Sequence, residues 1–231
     1  MHVLLTGPTL SGFRVGPGIF YRESALPADV PHLNLGSYTP SVLALLAALE
    51  LHDPDTHQHS LRVAQLALSM AEQSFGPYER QMSGERALCQ KFYAGALLHD
   101  IGKIGIATEV LNAPRRLTPA EFAVIQTHPQ LGAIALSRLG FDPIIVQAAQ
   151  YHHERVDRRG YPFGLVGADI PLPARIVCIC DAYDAMTHDR PYQQAMAHEQ
   201  ALDVIWTQAG SQFDHDIADR FRKLPRESFP A

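Results

Sequence analysis

From Thr39 onward the apolar positions recur at helical spacing. Thr39-Pro40 offers an N-cap followed by proline at the first helical position, and SVLALLAALEL continues it. A second helix is expected to carry Leu61, Ala64 and Leu68, with Gly76-Pro77 ending it, and residues 84–99 make a third. Thr118-Pro119-Ala120-Glu121 reads as a capping box that opens a helix running toward Thr127. His128 precedes Pro129, which biases it away from helical geometry and marks a boundary. Helical segments follow near 130–139 and 142–153, then a loop rich in Gly and Pro over 157–173. Helix resumes across 174–187, and two more helices close the chain. No run alternates as a strand would, so the fold class is all-α, a multi-helix bundle spanning 39–231. Residues 1–38 show no sustained period and read as an irregular N-terminal segment of unknown role.

Composition narrows the picture. The chain has 231 residues, 46% hydrophobic and 19% charged, an ordinary globular balance. A net charge of −5 argues against an extended nucleic-acid surface. It leaves room for a small phosphate ligand, because local cations override the global sign. No apolar stretch approaches the length of a membrane span, and no basic leader precedes one. Three cysteines (Cys89, Cys178, Cys180) are too few and too poorly spaced for a disulfide framework. The expectation is a reduced, cytoplasmic protein. No heptad and no exposed apolar stripe argues for an oligomer. Histidine is the unusual count, at twelve.

The dipeptide His-Asp occurs at 52–53, 99–100 and 188–189. The outer two adjoin Pro54 and Arg190-Pro191 and suit exposed or capping positions. His99-Asp100 instead follows an apolar run, where a carboxylate and an imidazole are costly unless something satisfies them. His59 lies on the helix of Arg62, Leu66 and Met70. His152 follows Ile144 and Ala148 at intervals of four, and His153 follows Ile145 and Ala149 likewise, so both continue an apolar side. Asp181 follows Ile176, Val177 and Ile179. With His128, five histidines and two aspartates point inward from several helices. Their apolar neighbours supply no partners, whereas metal ions satisfy them together. Imidazole and carboxylate without thiolate suit iron, manganese, nickel or zinc. Seven ligands exceed one ion, so two ions sharing a bridging carboxylate is the natural arrangement, with Asp100 as the best bridge.

These residues carry a family resemblance. HSLRVA (59–64), LLHDIGKIG (97–105), QTHP (126–129), YHHERVDRRGYPFGL (151–165), IPLPARI (170–176), DAYDAM (181–186) and DRPY (189–192) resemble the HD-GYP family of HD-domain phosphohydrolases. The resemblance runs in order over about residues 39–222, with GSQFD (210–214) near its end. It implies an all-helical domain that hydrolyses the bacterial second messenger cyclic di-GMP at a non-haem iron or manganese centre. It implies His59, His99, Asp100 and Asp181 on one ion, with Asp100 bridging to a second held by His128, His152 and His153. Some members bind a third ion through an acidic residue four positions before the first histidine, and Asp55 stands there. The expected hydrolysis opens cyclic di-GMP to linear pGpG, with pGpG or GMP as the end product, and a diguanylate cyclase domain protein is the partner that a scaffold role would dock.

Within that frame Lys103, three residues past Asp100, is a candidate to place its ammonium on the scissile phosphate. Arg190 in DRPY resembles a phosphate-contacting arginine, whose guanidinium suits two oxygens at once. Arg158 and Arg159 depart from the family's small residues before Gly-Tyr-Pro and add positive charge at the pocket mouth. Tyr161 can stack on guanine or pack. Gln193 occupies a position where relatives often carry lysine. Three other readings compete: an HD phosphohydrolase acting on another nucleotide, a metal-bound but inactive cyclic-dinucleotide sensor or scaffold, and a merely structural histidine-rich bundle that binds no metal.

Overall fold

A computed structural model describes residues 39–75, 83–189 and 194–230. The N-terminal segment 1–38, the Gly76-Pro77 stop, Arg190 and Gln193 lie outside the described residues. The described residues form helices and turns, with two isolated bridges (Asp157 with Val166, Ala209 with Phe213) and no strand. The expected all-α class holds.

The first helix, α1 (Thr39–His52), buries Val42, Leu46 and Leu49, a stripe at spacings of four and three. Asp53 separates it from α2 (Pro54–Phe75), which buries Val63, Ala64, Leu66, Ala67 and Met70. Asp53 is itself buried and accepts a 2.6 Å bond from the Thr56 hydroxyl. It stands at the helix start, as the capping reading expects, but the break between two packed helices draws the carboxylate inward rather than leaving it exposed. His188 likewise caps the C-terminus of a helix, half-buried, with Nδ1 3.1 Å from a buried Asp184 oxygen, and Asp189 is exposed.

Helix α3 (Ser83–Leu97) stops two residues earlier than its apolar run suggested. His99 and Asp100 occupy a turn that feeds a 3-10 segment, Ile101–Gly105. Gly102 explains this geometry. A Cβ there would collide with the His128 carbonyl oxygen and the Gly132 nitrogen, so the bare backbone lets this turn lie directly on the next helices. A short α4 (Thr108–Leu111) was not legible in the sequence. The capping box at Thr118 and Glu121 opens α5 (Pro119–Ile125) with both reciprocal bonds in place.

Helix α6 (His128–Arg138) begins at His128 itself, so the boundary expected there is a helix start. Helix α7 (Pro143–Tyr151) ends before the two histidines, which follow in a turn rather than in the helix. Helix α8 (Leu172–Thr187) is buried on almost every side, as a central helix must be. It packs against α2, α3 and α7, and against α9 (His198–Thr207) and α10 (His215–Phe221). The core therefore sits where α2, α3, α7 and α8 meet, and the histidines line it from within. Cys89, Cys178 and Cys180 are buried, and none is in a disulfide.

Candidate metal centre

Three histidines share one local device. His99 Nδ1 donates to Ala96 O (2.7 Å), His128 Nδ1 to Ile125 O (2.6 Å) and His152 Nδ1 to Ala149 O (2.9 Å), each three residues back. A carbonyl oxygen only accepts, so each Nδ1 carries the proton and each Nε2 presents its lone pair. All three Nε2 atoms turn toward Asp100. His128 Nε2 lies 3.1 Å from Asp100 Oδ1, His152 Nε2 3.7 Å from the same oxygen, and His99 Nε2 3.4 Å from Oδ2. His128 Nε2 and His152 Nε2 face each other at 3.3 Å.

This is an arrangement of acceptors. His99 Nε2 and Asp100 Oδ1 are buried without a hydrogen-bond partner. The 3.1 Å approach of His128 to that oxygen is thus a close contact of the wrong geometry and not a bond. Burial pushes the His128 pKa down. Burial, reinforced by neighbouring His152, holds His153 well below its ordinary value, so neither ring is cationic at neutral pH. Lone pairs converging on a carboxylate repel one another unless a cation stands among them.

The residues fit a metal by that test. One ligand atom from each of Asp100, His128, His152 and His153 lies within 4.8 Å of the others, and His59, His99 and Asp100 form a second such group. Asp100 belongs to both. Asp181 joins the second group through His59, whose Nε2 is 3.0 Å from its Oδ1. All seven residues named from the sequence therefore meet in one place. Burial would raise the Asp100 carboxyl, yet the Lys103 ammonium beside it holds it well below the carboxylate range. Burial opposes the charge on Asp181 too, and His59 outweighs it in the same direction.

His59 reveals a residue that sequence reasoning missed. Its Nδ1 donates to Asp184 Oδ2 at 2.6 Å, and Arg62 holds that carboxylate with two bonds of 2.7 and 2.9 Å. Burial would lower the His59 pKa, but Asp181 and Asp184 hold it at about 9. Asp184 fixes the tautomer and aim of His59, as a carboxylate behind a ligand does. The signal was available in DAYDAM, where Asp184 falls one turn after Asp181.

Glu154 is the second such residue. Buried beneath the 157–166 loop, its Oε1 accepts from the Phe163 and Gly164 amides (2.7 and 3.2 Å) and its Oε2 from Leu165 (3.0 Å). Three backbone donors on one carboxylate set the loop's path. The loop then brings Tyr161 flat against His153, with ring centroids 4.7 Å apart at 26°. Its peptide bond to Pro162 is cis.

A cleft of about 510 Å³ opens over these groups. Arg155, Arg159, Tyr161, Gln126, Phe122 and Lys103 contribute to its walls. Lys103 Nζ is 2.6 Å from Asp100 Oδ2. Arg155, not singled out in the sequence, pairs with Asp157 (3.0 and 2.8 Å) and Gln212 (2.8 Å). Arg158 is exposed with φ of +69° and does not line the cleft. Asp55 lies exposed in the first turn of α2, one turn before His59.

Comparison with known proteins agrees with this geometry. The HD domain family model matches residues 44–217. A probable cyclic di-GMP phosphodiesterase of Vibrio cholerae is 35% identical over 188 residues, 78% of this chain and 43% of that protein. The cyclic di-GMP phosphodiesterase PA4108 of Pseudomonas aeruginosa is 37% identical over 164 residues, 71% of this chain and 38% of that protein. The chain thus spans less than half the length of these relatives. Among solved structures, the HD domain of the L. monocytogenes phosphodiesterase PgpH superposes with a TM-score of 0.58 at 19% identity. It covers 78% of this chain and 92% of that one, a likeness of fold. The chain belongs to the HD-domain family, and its HDIGK, HHE and GYP segments place it in the HD-GYP branch.

Proposed function

We propose that this domain hydrolyses the phosphodiester bonds of cyclic di-GMP, with linear pGpG or GMP as the end product, and so lowers the second-messenger level. The observation that carries it is the pair of ligand groups sharing Asp100 at the floor of an open cleft. His59, His99, Asp100 and Asp181 would hold one divalent ion, and Asp100, His128, His152 and His153 the other. Such a pair neutralises charge on phosphorus-bound oxygens and generates a nucleophile from water at neutral pH. The donor set is nitrogen and oxygen without thiolate, which favours iron or manganese and also admits zinc or nickel. Asp55, exposed in the first turn of its helix and outside both ligand groups, either serves that helix start or is where a third ion would bind.

The chain's own groups do the rest. Lys103 stands at the cleft wall with its ammonium on Asp100, close enough to divide its charge between that carboxylate and a bound phosphate. Arg155 and Arg159 bring two further cations to the cleft, and Arg190 would add another. Arg158, which precedes Arg159, turns the backbone there with its positive φ. Tyr161 keeps the His153 ring in its plane. The relatives' activity supports the substrate assignment. A bacterial second messenger as substrate implies a cytoplasmic setting, and a diguanylate cyclase domain protein is the partner that follows.

Anaerobic purification, elemental analysis and chromatography of cyclic di-GMP digests test the reading. About two equivalents of iron or manganese with pGpG or GMP appearing is the expected result. Two equivalents without turnover of cyclic di-GMP would move the substrate elsewhere, and no metal under any loading would remove the centre itself.

A further inference from the structure

Helix α5 buries none of its side chains, yet it is firmly built. Its capping box is locked by Arg115, which grips Glu121 with two bonds of 2.8 and 2.7 Å. A seven-residue helix with no fully buried side chain gains little from packing, and beyond the Ile125 carbonyl that orients His128 it presents exposed side chains beside the cleft. Two of its side-chain positions enter the cleft wall, Phe122 and, one turn on at its C-cap, Gln126. Phe122 is 49% exposed. It makes no ring contact with any other described residue, whereas the other aromatic ring of the cleft, Tyr161, has a face covered by His153.

A cyclic dinucleotide whose phosphate sits at the centre must lay its bases against the walls. Most of the remaining wall is charged or polar; its rings are engaged at the centre, and the Arg155 guanidinium with Asp157 and Gln212. An open aromatic ring is what a base prefers, since stacking needs only two π faces. The Gln126 amide carries both a donor and an acceptor within reach of a base edge. We propose that Phe122 is the stacking platform for one purine base of the substrate and that Gln126 reads that base's edge. The inference rests on the phosphodiesterase reading for the identity of the substrate.

Calorimetry on the manganese-loaded protein tests it, with GMP and ribose 5-phosphate as probes that differ by the base alone. Wild type is expected to bind GMP more tightly than ribose 5-phosphate. Phe122→Ala should weaken GMP about 10-fold, leave ribose 5-phosphate and metal content unchanged, and Phe122→Trp should restore the affinity. Equal loss for both probes would overturn the platform, because α5 would then be acting through the Ile125 carbonyl that orients His128. Unchanged GMP binding in Phe122→Ala, or a wild type indifferent to the base, would overturn it as well. If GMP binding depends on Phe122 while cyclic di-GMP is not hydrolysed, the platform stands and the substrate assignment falls.

Discussion

Asp100 is the residue on which both ligand groups depend, and its replacement separates the readings of this site. Asp100→Ala deletes the shared carboxylate and leaves the imidazole lone pairs facing one another. Metal content should fall toward zero and turnover should vanish, while circular dichroism stays helical; retention of both ions would disprove the shared role. Arg158 offers the opposite kind of test. Its φ of +69° places an L residue with a Cβ in the left-handed region, at an exposed position. That region costs about 1–2 kcal/mol, part of which glycine returns as entropy. Arg158→Gly should therefore raise stability by up to about 1 kcal/mol, seen as a midpoint shift in urea. KM should not move, because the side chain lies off the cleft. A rise in KM would return Arg158 to the substrate contacts.

At the scale of elements, the 157–166 loop is organised by a single buried carboxylate. Glu154→Gln replaces two acceptor oxygens with one and aims a new donor at backbone amides that are themselves donors. The expected cost is about 1–3 kcal/mol. The ligands sit outside this loop, so metal content should hold while KM rises as Arg159 and Tyr161 lose their places. A drop in metal content instead would show that the loop supports His153 more than it shapes the cleft. The helices themselves were legible in the sequence because burial imposes a period. Thr39-Pro40, the Thr118 capping box and the apolar stripes of α1 and α2 each announce an element. The ends were less so. Close approach of Gly102 to the His128 carbonyl, 26 residues away in sequence, decides how the chain leaves α3, and no local pattern encodes it. The seven inward residues could be named because each sits among apolar neighbours where a polar group needs a reason. Asp184 and Glu154 escaped for the converse reason: each satisfies another group's needs, and a supporting role shows only when its partners are in place. Phe122 escaped because an exposed ring on a helix without a buried face has no period to break.

For the whole molecule, the centre gathers side chains from α2, the turn after α3, α6, the turn after α7, and α8, positions 59 to 181 of the chain. No other feature of the described core joins so many elements at one point. A cation among them converts mutually repelling acceptors into a cross-link, and it binds only when all five elements are assembled. Stability and metal are then linked by mass action. One ion at a hundred times its dissociation constant adds about 2.7 kcal/mol. For a domain of this size that raises the melting temperature by about 5–10 °C. Chelation of the purified protein should lower the transition by at least that much, and readdition of manganese should restore it in a concentration-dependent way. Asp100→Ala supplies the control, since its transition should ignore both chelator and manganese. A wild-type transition equally indifferent to chelation, with metal loss verified by elemental analysis, would mean that the folded chain binds the ion no more tightly than the unfolded chain does. The histidine cluster would then hold its geometry through Asp184, Glu154 and the three backbone carbonyls alone, and the reading of it as a metal centre would fall.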